Sequence, residues 1–201
     1  MKKTVSVFLF VLVLLSVNLS ACGSGKSPLP TPSKPDIETE EVAVYAALIQ
    51  SMYTADMLVI MDTTATDPGG VENTGQFIQM VLKNMKGIST ETTDSFSARN
   101  EAAHSLRADM ELAIPYTLLS EAEMREMFNV NQNGWQEFYN RYPSAPGIIT
   151  LSRAGFNTAA DQALVYIGNQ GHWLAGAGYY VLLKKVDGAW IVDQKVMSWI
   201  S

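Results

Sequence analysis

The chain has 201 residues, with twenty acidic and fourteen basic side chains, a net charge of −6 and one cysteine. One cysteine excludes an intramolecular disulfide framework, so the fold must rest on its core, which ~150 residues are enough to build. The acidic balance and the lack of a Lys/Arg cluster exclude nucleic acid as a partner, because a phosphate backbone calls for cationic neutralisation.

Lys2 and Lys3 open the chain, and an apolar run over residues 5–15 follows, broken only by Ser6. Leu19-Ser20-Ala21-Cys22 comes next. A positive start, an apolar run and a small-residue cleavage site describe a secretory signal, and the run is shorter than the ~20 residues that a spanning helix needs. Leu-Ser-Ala-Cys resembles the bacterial lipobox, in which the cysteine is diacylated and becomes the new N-terminus. The resemblance implies an uncharacterised bacterial lipoprotein. Residues 1–21 are then a signal peptide, and Cys22 is acylated with palmitate-type chains. The protein sits outside the cytoplasm in the cell envelope and meets the membrane through the lipid on Cys22. Two or more acyl chains anchor stably where one is marginal. Loss of Lys2 and Lys3 leaves twelve basic residues against twenty acidic ones. Residues 22–36 hold Pro28, Pro30, Pro32 and Pro35 among Gly, Ser and Lys, the composition of an extended tether of ~3.1 Å per residue.

Residues 37–201 read as a single globular domain. Asp36 is placed to cap a helix in which Val42, Tyr45, Ala46, Ile49 and Tyr53 recur at helical spacing. Met57-Leu58-Val59-Ile60-Met61 is a continuous apolar run of strand length, and Asp67-Pro68-Gly69-Gly70 is a turn signal. A second helix is expected over 76–86, with Phe77, Met80, Val81 and Met85 inward and Gly87 ending it. A third, weakly amphipathic one is expected over 90–109, then a short strand over 116–119. Ser120-Glu121-Ala122-Glu123 is a capping box that opens a short helix to residue 128. A polar loop covers 129–134. Trp135, Phe138, Tyr139 and Tyr142 then share a helical face, stopped by Pro143 and Pro146-Gly147.

The last third reads as strands over 148–156, 162–167, 173–186 and 189–200. Gly168-Asn169-Gln170-Gly171 is expected as a turn, and Asp187-Gly188 as a two-residue hairpin loop in which both positions tolerate positive φ. Gly176 and Gly178 suggest a bulge or bend. The expected fold class is α+β, with N-terminal helices packed on a curved, mainly antiparallel C-terminal sheet. Val186-Asp187-Gly188-Ala189-Trp190-Ile191-Val192-Asp193 resembles the last hairpin of NTF2-like domains, which implies a cone-shaped α+β fold. The helices between the first helix and the sheet depart from that pattern and leave another α+β topology open. The segments around Trp135, Gly155-Phe156-Asn157 and Leu174-Ala175-Gly176-Ala177-Gly178 look like uncharacterised bacterial envelope proteins, a likeness that carries no activity.

Linear motifs for chemistry are sparse. His104 and His172 are the two histidines, and no H-x-x-x-H, H-E-x-x-H or C-x-x-C spacing exists, so neither a metal site nor a cofactor is expected. Ser152 in Leu151-Ser152-Arg153-Ala154-Gly155 lacks the first glycine of a nucleophile elbow and reads as a strand hydroxyl bonding locally. The glycines at 168, 171, 176 and 178 lack the lysine of a phosphate loop. Three residues remain as a candidate polar pocket. Asp62 follows the first buried strand. Arg153 shares a predicted strand face with Ile149 and Leu151, where it would pair with an acid or bind an anionic group. His172 stands beside Trp173. The leading functional expectation is a non-enzymatic envelope module that binds a small ligand or another envelope protein. The alternative is a hydrolase or lyase, which requires at least two of Asp62, Arg153 and His172 to meet in one cavity.

Overall fold

The computed structural model describes residues 36–66, 76, 80, 81, 83–129 and 133–201. The leader, Cys22, the tether up to residue 35, the Asp67-Pro68-Gly69-Gly70 turn and Phe77 lie outside the described residues. No described helix is long and apolar enough to cross a membrane.

Helix α1 (Ile37–Met52) starts where expected. Asp36 accepts from the Glu38 N–H at 3.3 Å and from the Thr39 hydroxyl at 2.7 Å, occupying donors that an open helix end leaves unpaired. Val44, Tyr45, Leu48 and Ile49 form its buried stripe. Strand β1 (Leu58–Met61) is buried throughout. Gln76, Met80, Val81, Lys83 and Asn84 are helical, Val81 and Met85 are buried, and Gly87 has φ +73°. Helix α2 (Thr90–Arg99) is capped by Ser89, whose side chain accepts from the Thr92 N–H. It is half the length expected for this segment. Asn100 ends it, and the chain then runs back beside β1, where Thr63 bridges Ser105 and Leu106 N–H donates to the Asp62 carbonyl. With only Thr92, Thr93 and Phe96 buried on α2, there is no apolar stripe to extend it further.

Strand β2 (Tyr116–Leu119) leads into helix α3 (Glu121–Asn129). The capping box is made: Glu123 N–H donates to Ser120 Oγ at 3.2 Å, and Ser120 N–H donates to Glu123 Oε2 at 3.0 Å. Helix α4 (Gly134–Arg141) buries Trp135 and Phe138. Five strands follow: β3 (Ile148–Leu151), β4 (Gly155–Phe156), β5 (Gln162–His172), β6 (Ala175–Val186) and β7 (Ala189–Ile200).

All seven strands join one sheet in the order β2-β1-β3-β5-β6-β7, with β4 also paired to β5. β1 is parallel to both of its neighbours and every other pairing is antiparallel. The α+β class is thus as expected, with helices preceding a mainly antiparallel sheet. Two details differ. The 148–156 strand is broken at Ser152-Arg153-Ala154. Gly168-Asn169-Gln170-Gly171 is no turn but part of β5, and the reversal falls at Trp173-Leu174. Glycine serves close packing there. A Cβ on Gly168 would crowd the Tyr166 hydroxyl, and one on Gly178 would overlap the Trp199 indole, which donates to that hydroxyl at 2.7 Å. The Asp187-Gly188 loop is as read, with φ +50° and +83°.

Alternation along the strands gives the sheet two apolar faces. Leu58, Ile60, Ile149, Leu151, Val165, Ile167, Val181 and Leu183 pack against α1. On the opposite face, Val59, Met61, Leu119 and Ile148 pack against α3 and α4, while Leu164, Tyr166, Tyr180 and Leu182 pack against Val81, Met85 and Phe96.

Candidate functional site

The α3–α4 cluster on the second face borders a groove. It encloses about 570 Å³ and is walled by Met61, Met124, Phe128, Trp135, Ile148 and Trp173, with Thr63, Thr64, Thr150, Gln170 and Arg125 as its polar members. That size falls in the ~300–1,000 Å³ range of small-molecule sites. Sequence alternation builds the floor: Met61 ends β1, Ile148 and Thr150 are two apart on β3, and Gln170 lies opposite Ile148. Helix α3 supplies Met124 and Arg125, and Phe128 about one turn on from both. Gly134 permits the wall, since a Cβ there would overlap the Phe128 ring.

Trp135 is the centre of this wall. Its ring lies 5.0 Å from Phe128 and 6.2 Å from Trp173, both edge-to-face, and His172 stacks on it at 6.2 Å. It is only 6% exposed, and its indole N–H is buried with no acceptor among the described residues. An unpaired buried donor costs ~1–3 kcal/mol, most of which an arriving acceptor recovers. Trp173 is 56% exposed at the β5–β6 reversal, and Leu174 beside it is 84% exposed.

The three residues singled out by sequence lie in three different surroundings. Arg153 is in the break between β3 and β4 and faces α1. Its Nη2 donates to Glu41 Oε2 at 2.8 Å and to Glu38 Oε1 at 2.7 Å. Glu41 Oε2 also accepts from Arg99 at 3.0 Å, and Glu41 Oε1 accepts from the Ala154 N–H at 2.7 Å. Of the two roles foreseen for Arg153, pairing with an acid is the one observed. Burial by itself would lower its pKa, but the bonds to Glu41 and Glu38 outweigh that and raise it. Burial, reinforced by the Glu41 charge, pushes the Tyr45 phenol well above its ordinary value, so it stays a donor, to the Ser152 carbonyl at 2.9 Å. This cluster ties α1, α2 and the strand break together, and the Arg99 Nε is buried in it with no partner among the described residues.

Asp62 is half-buried at the end of β1, its backbone engaged by Leu119 and Leu106. His172 is exposed against Trp135. Among the described residues neither hydrogen-bonds to the other or to Arg153. His104 is exposed in the segment after α2, where its backbone pairs with Thr64. Ser152 is fully buried, accepts from the Tyr166 N–H at 2.8 Å and donates to the Arg153 carbonyl at 3.0 Å, the local bonding read for it. Among the described residues no group of three His, Cys, Asp or Glu is placed to hold a metal ion.

A second cavity, about 650 Å³, lies at the C-terminal end of α1 on the other face, walled by Tyr53, Tyr139 and Tyr179, with Gly171, Gly176 and Ala177 among its smaller members. Tyr139 spends its hydroxyl on the Gly171 carbonyl at 2.7 Å, and Lys195 rests over the Tyr179 ring at 5.4 Å.

The aromatic face of Trp135, Phe138, Tyr139 and Tyr142 reads from sequence as helix-on-sheet packing, with a ligand groove as the alternative; Trp135 does both, but the other groove residues are not legible. The groove's members are spread from residue 61 to residue 173. The readable sign was local: a histidine and a tryptophan side by side next to a reversal. No family model matches the chain, and no curated protein or solved structure is detectably similar to it.

Proposed function

We propose that this protein is a lipid-anchored module of the bacterial envelope, working outside the cytoplasm, that binds a small apolar ligand in the groove between α3, α4 and the β5–β6 reversal. The anchoring half of this reading rests on the Lys2-Lys3 start, the apolar run and Cys22. The binding half rests on one observation: six large apolar side chains surround a ligand-sized space, and the indole donor of one of them is buried with no acceptor among the described residues. Apolar walls with a few fixed polar groups are the usual make-up of a small-ligand site. The Glu41 cluster pairs its carboxylate with Arg153 and Arg99 and lines neither cavity, which leaves the groove as the better-supported site.

The test uses 2-naphthamide as a neutral aromatic probe. It is titrated into the full chain in zwitterionic micelles, with empty micelles as the blank. Binding is expected to saturate at one probe per chain, and Trp173→Ala is expected to weaken it about tenfold, as for an aromatic anchor. Trp173 is largely exposed, so this variant keeps the core intact. Absence of saturable binding, or equal affinity in wild type and Trp173→Ala, overturns the proposal.

A further inference from the structure

Arg125 is the one ionisable side chain among the described lining residues of the groove, in a chain where acids outnumber bases by twenty to fourteen. Resting on the groove as the binding site, we infer that its ligand is an organic anion: an apolar ring or chain ending in a carboxylate-like group that Arg125 receives at the rim.

Three features support the assignment. The first is that Arg125 is weakly committed. Its recorded ion pair is with Glu121 one turn earlier on α3, at 3.7 Å, with the two side chains 60% and 66% exposed. Its Nε also reaches the Glu121 carbonyl at a long 3.4 Å. Exposed i,i+4 pairs of this kind contribute little, so the guanidinium can turn to a better partner at small cost. The contrast with Arg153 and Arg99 is direct, since both are locked onto Glu41 with little exposure.

The second is the absence of any acidic side chain from the described wall. The other polar residues there are Thr63, Thr64, Thr150 and Gln170, beside Trp135, whose indole N–H is buried. Thr64 is already occupied, as acceptor from the His104 N–H at 3.0 Å. The indole and the guanidinium are donors only, so the wall is matched to a ligand rich in acceptors.

The third is geometric. Arg125 and Phe128 stand three residues apart on α3 and so share one helix face. A ligand lying along that face would place its apolar body against Phe128, Trp135 and Trp173, with its end at Arg125. A guanidinium is the side chain best suited to take a carboxylate by two parallel hydrogen bonds.

The experiment compares 2-naphthoate with 2-naphthamide, which share a ring system and differ in charge, on the wild-type chain and on Arg125→Gln, in the same micelles. Naphthoate is expected to bind about five- to tenfold tighter than naphthamide, the size of a charge-assisted bond at a partly exposed site. Arg125→Gln should erase that difference. The chain's overall negative charge works against an anionic probe, so a preference for naphthoate cannot come from bulk electrostatics. Equal binding of the two probes, or a preference that survives Arg125→Gln, overturns the anion assignment and leaves the groove reading standing. If neither probe binds, the groove reading fails with it.

Discussion

Arg153 and Glu41, 112 positions apart in sequence, bring their charged groups to 2.8 Å at the break between β3 and β4. Glu41 is an almost fully buried carboxylate that takes hydrogen bonds from Arg153, Arg99 and the Ala154 N–H. Helix α1, helix α2 and the strand break are tied through this one side chain. Glu41→Gln would leave the two guanidinium groups with only the half-exposed Glu38 as counter-charge. Removing one partner of a buried ion pair costs about 3–5 kcal/mol. Urea unfolding is expected to show that loss; a change below about 1 kcal/mol would mean that the cluster is not the tie described.

Acid should loosen the same corner through Glu38. Partial burial raises its pKa, but the hydrogen bond from Arg153 and the charges of Arg153 and Arg99 pull it down further, to a net value below its ordinary 4.5. A depressed carboxylate stabilises the fold above its unfolded pKa, and that contribution is lost as pH falls through the folded value. The urea midpoint should therefore decline as pH drops below about 4.5, and Glu38→Gln should flatten the decline. A parallel pH profile in Glu38→Gln would contradict this.

Ser152→Ala removes the acceptor of the Tyr166 N–H in a fully buried site. The orphaned amide should cost about 1–3 kcal/mol. A serine with a catalytic duty and no structural one would instead leave the unfolding midpoint unchanged.

Gly155 lies against the backbone of α2, where a Cβ would overlap Phe96 N and Cα. Backbone cannot yield as a flexible side chain does. Gly155→Ala is expected to lose about 2–3 kcal/mol, the range of core overpacking, read from the same unfolding curves. A neutral result would show that α2 can shift off the sheet.

How far the sequence reveals this arrangement depends on the range of each interaction. The Ser120–Glu123 capping box, the Asp36 cap and the Asp187-Gly188 loop are local, and the structure has them where the residues place them. Gly168 to Gly171 misled because turn chemistry and close packing use the same residue. Only Tyr166 and Trp199, brought near by strand pairing, reveal which applies. Arg153 could be assigned to a face but not to Glu41, because the partner lies on a helix more than a hundred residues earlier. The rest of the groove was hidden for the same reason. It needs the parallel pairing of β1 with β2 and β3, which no adjacent residues encode.

The anchoring proposal has its own test. Mass spectrometry of the protein from a bacterial envelope should find a chain that begins at Cys22 and carries added acyl mass. Cys22→Ser should release the domain from the membrane fraction. A mature form that begins elsewhere, with Cys22 as a free thiol, would remove the lipid anchor from the account.

The most direct test of the groove uses the four tryptophans. Trp190 donates its indole N–H to Glu40 at 2.7 Å and Trp199 donates to Tyr166 at 2.7 Å, both away from the groove, whereas Trp135 and Trp173 line it. Indole N–H resonances of the labelled full chain should be followed as 2-naphthamide is added. The Trp135 and Trp173 signals should move together and saturate while those of Trp190 and Trp199 stay fixed. Movement of Trp190 or Trp199 with Trp135 unmoved would place the ligand elsewhere and contradict the account.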